Sequence, residues 1–396
     1  MSSLKSIKTV LSLLTLSSLL LVTACSTITD IQTDVSERIF GRDAAESPEP
    51  LAELKETAVS KIVWQAKLDE AKDFEFTPVV EAGFAYAASA DGEVVKLDAT
   101  SGNQLWRVNT GEALSGGVGV GGSLVLVGTQ KGAIYAYDLT GKLQWKSKLS
   151  SEVLSAPKYY DGTVIVRTGD SRIFGINAND GSRKWVYART SPSLTLRSAA
   201  GLVVDGGAVY AGFAGGKLIS VRADNGKVLW EASVAQPKGV TEIERIADIT
   251  SLPVVDGPLI YAVAYQGRVA AIDRVSGRVV WNRDISSLAG LSAEDGRIFV
   301  SHALGSVYAL DYTSGKTFWR QAALKNRQLS TPIPMGSLIA VGDVEGYVHF
   351  LNREDGALAS RIKTGDSPIM PQMALVNSNT VLAQARNGGV YAIQVK

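Results

Sequence analysis

The stretch SVYALDYTSGKTFW, residues 306–319, carries the pattern that decides the fold. It begins with alternating apolar and polar side chains and ends with a short apolar segment, and both parts predict β-strands. Between them, Asp311 is followed by Thr, Ser and Gly315, which favour a tight turn because they tolerate its backbone angles. The stretch therefore predicts a β-hairpin whose second strand carries Trp319.

The same motif occurs seven times along the chain. The copies are DATSGNQLW (98–106), DLTGKLQW (138–145), NANDGSRKW (177–185), RADNGKVLW (222–230), DRVSGRVVW (273–281), DYTSGKTFW (311–319) and NREDGALAS (352–360). Six copies place Trp at the same position, and the seventh has Ser360 there. The turn glycines recur at intervals near 40 residues, which is typical of four-stranded propeller blades.

The two ends of the chain complete an eighth unit. Residues 389–394 form a third strand with no fourth strand after it, and residues 61–68 carry Trp64 with no third strand before them. Pairing these segments would close the ring and remove its exposed edges. We therefore predict an all-β fold over residues 58–396, an eight-bladed β-propeller of four-stranded antiparallel blades closed by the N- and C-terminal strands.

All seven Trp residues belong to this repeat, at positions 64, 106, 145, 185, 230, 281 and 319. A single recurring position favours a packing role, and burial of one indole stabilises a fold by at most about 4–6 kcal/mol. The alternative is a set of aromatic platforms that stack on a ligand.

Composition excludes several classes of function. Lys plus Arg number 40 and Asp plus Glu 39, so the chain lacks the basic excess of a nucleic-acid-binding protein. One Cys and two His are too few for a disulfide scaffold or a Cys/His zinc site. His302 and His349 stand alone, and the chain has no G-x-S-x-G, H-E-x-x-H or P-loop motif. We expect no catalytic residue, no metal and no cofactor.

The N-terminus predicts a signal peptide over residues 1–24. Two lysines precede a 16-residue uncharged segment, which is shorter than the ~20 residues that span a bilayer. The segment ends in LVTAC (21–25), which resembles a bacterial lipoprotein signal and implies a palmitate-type lipid on Cys25. The alternative is an ordinary secretory signal with an accidental Cys. Ser26 resembles the sorting signal of Gram-negative lipoproteins that reach the outer membrane, which implies an anchored protein facing the periplasm.

Residues 25–57 read as the lipidated Cys and a flexible acidic tether. Residues 26–57 contain eight acidic and three basic side chains and little periodicity. As a coil they would span roughly 30–35 Å. A short helix over residues 50–57 is the one element that the segment suggests.

The repeat resembles that of PQQ-dependent alcohol and glucose dehydrogenases, which hold a quinone and Ca²⁺ over the ring axis. This chain has neither a second Cys nor insertions large enough to build such a site. A quinoprotein or sugar-binding propeller that uses the central channel remains the alternative function.

The signal, the tether and the ring together resemble the outer-membrane protein assembly factor family BamB. The most specific segments are LTLR (194–197), TEIERIADIT (241–250) and LPVV (252–255), although Thr250 stands where the family has a second acidic residue. The resemblance implies a scaffold of the BAM complex that binds the periplasmic domains of BamA and contacts other BAM subunits. Unfolded outer-membrane proteins, which could add a strand to a blade edge, are a further candidate partner.

Repeat spacing points to the same region independently of the family. The two longest intervals, 45 and 51 residues, come from insertions at residues 186–198 and 231–250, both between the fourth strand of one blade and the first strand of the next. Such connections share one face of a propeller. Thr241 and Glu244 predict a capping box and a short helix with Ile243, Ile246 and Ile249 on one side.

These insertions form the predicted partner-binding face. Its candidate residues are Leu194, Leu196, Arg197, Glu244, Arg245 and Asp248. Exposed apolar side chains next to Arg are typical of interface hot spots, and we expect Arg197 and Asp248 at the rim of an apolar patch. The alternative is that the leucines and isoleucines fold back into the core.

Overall fold

The computed structural model describes residues 47–396, which form thirty-two strands in eight four-stranded antiparallel sheets and no helix. The predicted signal peptide and Cys25 lie outside the described residues. Within those residues, no helix is long and apolar enough to cross a membrane.

The first four blades follow one another along the chain. They comprise β2 (Val79–Glu81), β3 (Phe84–Ala88), β4 (Glu93–Asp98) and β5 (Gln104–Asn109); β6 (Leu114–Gly121), β7 (Leu124–Thr129), β8 (Ala133–Asp138) and β9 (Leu143–Lys148); β10 (Lys158–Tyr160), β11 (Thr163–Thr168), β12 (Arg172–Asn177) and β13 (Arg183–Ala188); and β14 (Leu202–Asp205), β15 (Ala208–Phe213), β16 (Lys217–Arg222) and β17 (Val228–Ser233).

The other four blades include the one that closes the ring. They comprise β18 (Val254–Asp256), β19 (Leu259–Val263), β20 (Val269–Asp273) and β21 (Val279–Arg283); β22 (Gly290–Glu294), β23 (Arg297–Ser301), β24 (Val307–Asp311) and β25 (Thr317–Gln321); β26 (Ile333–Met335), β27 (Leu338–Gly342), β28 (Tyr347–Asn352) and β29 (Leu358–Lys363); and β30 (Ala374–Asn377), β31 (Thr380–Gln384), β32 (Gly389–Val395) and β1 (Ser60–Lys67).

The first strand of each blade is the innermost one. β2, β6, β10, β14, β18, β22, β26 and β30 each contact the next in this order, and β30 contacts β2, so they close a circle around the axis. In the eighth blade β1 pairs with β32, from Ser60 opposite Val395 to Lys67 opposite Gly389. The prediction of an eight-bladed propeller closed by its two terminal strands is confirmed.

Two sets of loops define the two faces of the ring. The connections from the fourth strand of one blade to the first strand of the next lie on the same side as the turns between second and third strands. We call this side the connection face. The hairpins that carry the repeated glycines lie on the opposite side, which we call the turn face.

Each Trp of the repeat packs into the turn-face hairpin of the following blade. The seven indole N–H groups donate to backbone carbonyls there, over N–O distances of 2.7–3.1 Å: Trp64 to Ala99, Trp106 to Leu139, Trp145 to Ala178, Trp185 to Ala223, Trp230 to Arg274, Trp281 to Tyr312 and Trp319 to Arg353. The indole ring also covers the turn glycine, so a Cβ added at Gly102 would lie 2.6 Å from the ring of Trp64. The packing interpretation of the Trp residues is therefore correct, because they join neighbouring blades.

Ser360 replaces Trp where the following blade has no such hairpin. The third and fourth strands of that blade, β32 and β1, come from opposite ends of the chain and share no turn. Instead, the Oγ atoms of Ser360 and Ser60 are 2.7 Å apart, and the backbone N–H groups of Thr57 and Ala58 donate to the carbonyl of Ala359. The N-terminal segment thus occupies the site that an indole occupies elsewhere.

Part of the predicted tether belongs to the propeller. The compact unit begins at Pro48, and residues 48–57 form no helix, contrary to expectation. The N–H of Glu49 donates to the carbonyl of Lys325, its carbonyl accepts a hydrogen bond from Arg327 at 2.8 Å, and Leu51 packs against the cluster around Trp319. A complementary surface therefore orders these ten residues despite their polar composition.

Candidate functional site

Asp248 joins the two enlarged connections on the connection face. These connections, residues 189–201 and 234–253, lead into the fourth and fifth blades. One carboxylate oxygen of Asp248 accepts the N–H of Leu196 at 2.7 Å, and the other accepts the N–H of Gly215 at 2.9 Å. Charge-assisted bonds of this kind are stronger than neutral ones, so Asp248 fixes the first connection against the second.

The expected position of Asp248 at the rim of the patch is wrong. The residue is 4% exposed, because its short side chain turns inward to satisfy two backbone donors that would otherwise lack partners. Its own carbonyl accepts the N–H of Tyr265 from a neighbouring turn. Asp248 therefore positions the loops, and its carboxylate does not face solvent.

Arg167 holds the end of the first enlarged connection in place. It donates to the carbonyl of Ala200 at 2.6 Å, and its guanidinium lies 4.7 Å from the ring centre of Phe213. Burial lowers the pKa of Arg167, and the nearby carboxylate of Asp248 opposes that shift. The half-buried guanidinium of Arg167, the ring of Phe213 and the buried carboxylate of Asp248 thus lie together under the first enlarged connection.

The capping box is present, but the predicted helix is only a turn. The N–H of Glu244 donates to Thr241 Oγ1 at 3.2 Å, and Glu244 Oε2 accepts the N–H groups of Thr241 and Val240. The turn ends after Ile246, since the chain must then run inward to place Asp248. As a result, Ile243, Ile246 and Ile249 do not lie together on one side of a helix.

The isoleucines of the second connection occupy different environments. Ile243 is 67% exposed, Ile246 is half-buried and Ile249 is 1% exposed. The core alternative therefore holds for Ile249, and Ile243 remains on the surface.

Several apolar and charged side chains of the two connections remain accessible. Leu194 is 42% exposed, Leu196 is half-buried, and Arg197 and Arg245 are exposed, whereas Glu244 is half-buried at the capping box. The sequence analysis missed Val240, which is 95% exposed. The sequence signal that could have indicated Val240 is its position: it is an apolar residue directly before a capping box and inside an insertion.

Arg197 contacts residues in the connections that lead into two other blades, the first and the third. Its guanidinium binds both carboxylate oxygens of Glu152, with Nη2–Oε2 at 2.7 Å and Nε–Oε1 at 3.3 Å, and lies 5.1 Å from the ring centre of Phe74. The hydrogen bond that Arg197 donates to Glu152 raises the pKa of Arg197. Glu152 and Phe74 lie in connections of ordinary length, so the repeat spacing gave no sign of them.

The possible metal ligands among the described residues do not cluster. Within residues 47–396, no group of three or more His, Cys, Asp or Glu side chains is placed to hold a metal ion. His349 is fully buried, and its Nε2 lies 2.9 Å from Oδ2 of Asp343 inside the seventh blade, so it belongs to the core.

Comparisons with known proteins place this geometry in context. The sequence matches the family described as "Outer membrane protein assembly factor BamB" over residues 56–113, 90–321 and 303–396. The BamB of Nitrosomonas eutropha is 42% identical over 385 residues, which cover 96% of this chain and 94% of the relative. The crystal structure of BamB from Moraxella catarrhalis matches with a TM-score of 0.78 and 30% identity, over 85% of this chain and all of that chain. The quinohemoprotein alcohol dehydrogenase from Comamonas testosteroni matches over 85% of this chain and 76% of its own with a TM-score of 0.68, but at 14% identity it shares only the fold.

Proposed function

The chain belongs to the family of the outer membrane protein assembly factor BamB, and from this membership we propose that it is a non-enzymatic scaffold of the BAM complex. In this role it binds the periplasmic domains of BamA, contacts other BAM subunits and assists the insertion of outer-membrane proteins. Unfolded outer-membrane proteins are a second class of partner.

The observation that carries the proposed partner site is the bridge from Asp248 to Leu196. We call the accessible side chains that this bridge positions the bridged surface: Leu194, Leu196, Arg197, Val240, Ile243 and Arg245. A loop held by two charge-assisted hydrogen bonds loses little conformational entropy on binding, and preorganisation of this kind improves affinity. The bridged surface therefore suits a partner that inserts apolar groups between the two connections.

The exposed residues of the bridged surface have distinct roles in this proposal. Leu194 and Ile243 supply apolar area, and Arg197 supplies a planar group that pairs with carboxylates or backbone carbonyls of the partner. The pair of Arg197 with Glu152 is half-exposed, with side-chain exposures of 53% and 28%, so a partner can compete for it at small cost. Glu244 and Asp248 act through the backbone that they hold.

Cys25 anchors the protein in the proposed assembly. Its acyl chains would hold the chain in the outer membrane, with the propeller on the periplasmic side. The described chain begins beside Lys325, in the connection between the sixth and seventh blades. This connection lies on the connection face, so Glu49 and the bridged surface lie on the same side of the ring.

Capture of the periplasmic domains of BamA tests the proposed function. Leu194→Ala and Arg197→Ala should each weaken capture by roughly 30-fold, since a hot-spot side chain contributes about 2 kcal/mol. Lys142→Ala and Lys227→Ala, on the turn face, are the matched controls and should bind as wild type does. All four variants should keep the wild-type circular dichroism. Normal binding by the first pair together with loss in the controls would place the partner on the other face.

A further inference from the structure

Residues 48–57 show what the outer wall of this ring can hold. They follow the junction of the sixth and seventh blades, from Lys325 in the connection between those blades to Ala359 on the outer strand of the seventh. Their sequence, PEPLAELKET, forms neither helix nor strand and carries three Glu and one Lys. Leu51 packs against the core cluster that contains Trp319, while the glutamates stay exposed. An acidic segment with a half-buried leucine therefore fits a junction between two blades.

The junction of the second and third blades has a similar construction, and no described segment of the chain fills it. It forms an open groove on the outer wall, lined by the end of β9, the residues after it, β12 and β13. Leu149 and Phe174 form the floor of the groove, because they are 7% and 4% exposed and belong to the core cluster that contains Trp145. Trp145 and Trp319 hold the same place in the repeat, so this groove corresponds to the junction that residues 48–57 follow.

Val186 exposes apolar surface in this groove, at a position where the repeat elsewhere has a polar side chain. It follows Trp185 on the outer strand and is 45% exposed. In the other seven blades the residue at this position is Arg, Lys, Glu, Asn or Gln. Val186 pairs directly with Phe174 on the neighbouring strand, so the two side chains lie on one face of the blade. Together they extend the apolar surface from the floor of the groove to its edge, where an apolar group of a ligand would shield it from water.

The rim of this groove is positively charged. Lys148, Arg172 and Arg183 line it with exposed side chains, and none of its described lining residues is acidic. Lys148 donates to the carbonyl of Lys131, a bond that leaves its charge unneutralised, and the Arg183 guanidinium makes no hydrogen bond or ion pair with any described residue. Arg172 pairs with Asp170 at 3.2 Å, but both side chains are partly exposed, so a ligand can compete for this arginine at small cost. The groove therefore attracts an anionic ligand.

The charged and apolar groups follow a definite order along the groove. In the pairing of β12 with β13, Arg172 lies two positions to one side of the Phe174–Val186 pair, and Arg183 lies two positions to the other side. In an extended chain, side chains two positions apart point to the same side. A matching ligand would therefore carry one carboxylate two residues before its apolar side chain and another two residues after it, over roughly 13 Å in all. Residues 49–53, Glu-Pro-Leu-Ala-Glu, have this order.

We propose that the outer groove between the second and third blades binds an extended acidic segment of a partner protein, with the pattern acidic–x–apolar–x–acidic. The apolar side chain packs against Phe174 and Val186, and the flanking carboxylates pair with the cations of the rim. None of the lining residues belongs to the bridged surface. The groove is therefore a second contact site of the propeller, and its occupancy does not depend on whether the bridged surface binds BamA.

Fluorescence anisotropy with the full chain and a labelled peptide tests the site. The probe is PEPLAELKET, the sequence of residues 48–57, and these residues already occupy the corresponding junction of the sixth and seventh blades. The peptide should bind, and its affinity should fall at least about tenfold when its three glutamates are replaced by glutamine or its two leucines by serine. Equal binding of either altered peptide would overturn the proposal, as would the absence of binding by the original one.

Two variants identify the groups responsible. Val186→Glu introduces the residue that the fourth blade has at the same position, so it should fold and melt as wild type does, and its affinity for the peptide should fall at least about tenfold. Arg183→Gln introduces the residue of the first blade, Gln104, and should weaken binding severalfold. Val280→Glu and Arg278→Gln change exposed residues of the fifth blade and are the matched controls, which should bind normally. Unchanged affinity in Val186→Glu, or an equal loss in Val280→Glu, would refute the proposal.

Discussion

Arg327 and Asp343 form an ion pair that solvent hardly reaches: the Nε and Oδ2 atoms are 2.7 Å apart, and the side chains are 1% and 0% exposed. Asp343 also accepts the N–H groups of Glu345 and Tyr347 and faces Nε2 of His349. Burial by itself would raise the pKa of Asp343, but the bonds from His349, Tyr347 and Arg327 lower it overall. The charged pair is therefore satisfied, which is the condition for such a pair to persist in a core.

His349 makes the stability of the protein depend on pH. Burial lowers the pKa of His349, and Asp343 only partly opposes this. An unfolded chain binds a proton at this position below about pH 6.5, whereas the folded chain does not, so the free energy of unfolding falls as the pH drops from 7 to 5. His349→Gln keeps a donor for Asp343 without titrating. Urea unfolding at pH 7, 6 and 5 should show a shallower decline for this variant than for wild type, and equal declines would contradict the assignment.

Asp248 should act on partner binding through the loop that it holds. Asp248→Ala leaves the N–H groups of Leu196 and Gly215 without their acceptor, and we expect the free energy of unfolding to fall by about 1–3 kcal/mol. Hydrogen exchange should accelerate at the Leu196 amide, and capture of BamA should weaken. Asp224→Ala, which removes an exposed acid of the turn face, is the control and should change none of these three properties. Normal exchange at Leu196 would show that the bridge does not order the loop.

The contribution of the Trp contacts between blades to stability can be measured by comparing substitutions at two glycines. Gly277 has a φ of 72°, and a Cβ there would lie 2.7 Å from the indole of Trp230, whereas Gly257 has a φ of 54° and open space around it. Gly257→Ala should cost about 1–2 kcal/mol from backbone strain alone. Gly277→Ala should cost roughly 1–3 kcal/mol more, because the methyl group displaces the indole. Equal losses in thermal or urea unfolding would mean that the indole packing contributes little.

Restoring the family's acidic residue at position 250 should reduce stability. Thr250 Oγ1 donates to the carbonyl of Leu288 at 3.0 Å, and an ionised carboxylate cannot donate. Thr250→Asp should therefore lower the free energy of unfolding by about 1 kcal/mol, and Thr250→Ser should match wild type. Wild-type stability with tighter capture of BamA would instead show that the carboxylate is favourable in this chain.

The lipid anchor is tested at Cys25, the only thiol of the chain. Cys25→Ser should leave the protein as an uncleaved precursor or release it into the soluble periplasmic fraction. Fractionation with an antibody against the propeller distinguishes these forms. A processed variant that still sediments with the membrane would contradict the proposed anchoring.

The sequence predicted the parts of the fold that recur and missed the parts that occur once. Seven copies of the motif specify the strand order, and the unmatched strands at residues 61–68 and 389–394 specify the closure. The inward turn of Asp248 is not periodic, and the repeat spacing locates its loop without indicating where its carboxylate points. The docking of Glu49 on Arg327 joins residues 278 positions apart, and the acidic composition around Glu49 resembles that of a solvated linker.

The pairing of β1 with β32 also determines when the molecule can become complete. Synthesis supplies β1, the fourth strand of the eighth blade, near the beginning of the described chain and β32 at its end, so seven blades can form while the eighth still lacks its first, second or third strand. Until the last residues are available, the nascent ring exposes strand edges at the gap, and these edges invite pairing with other chains. Loss of the final few residues would leave these edges unpaired for longer. Completion of the ring therefore depends on the C-terminal strand.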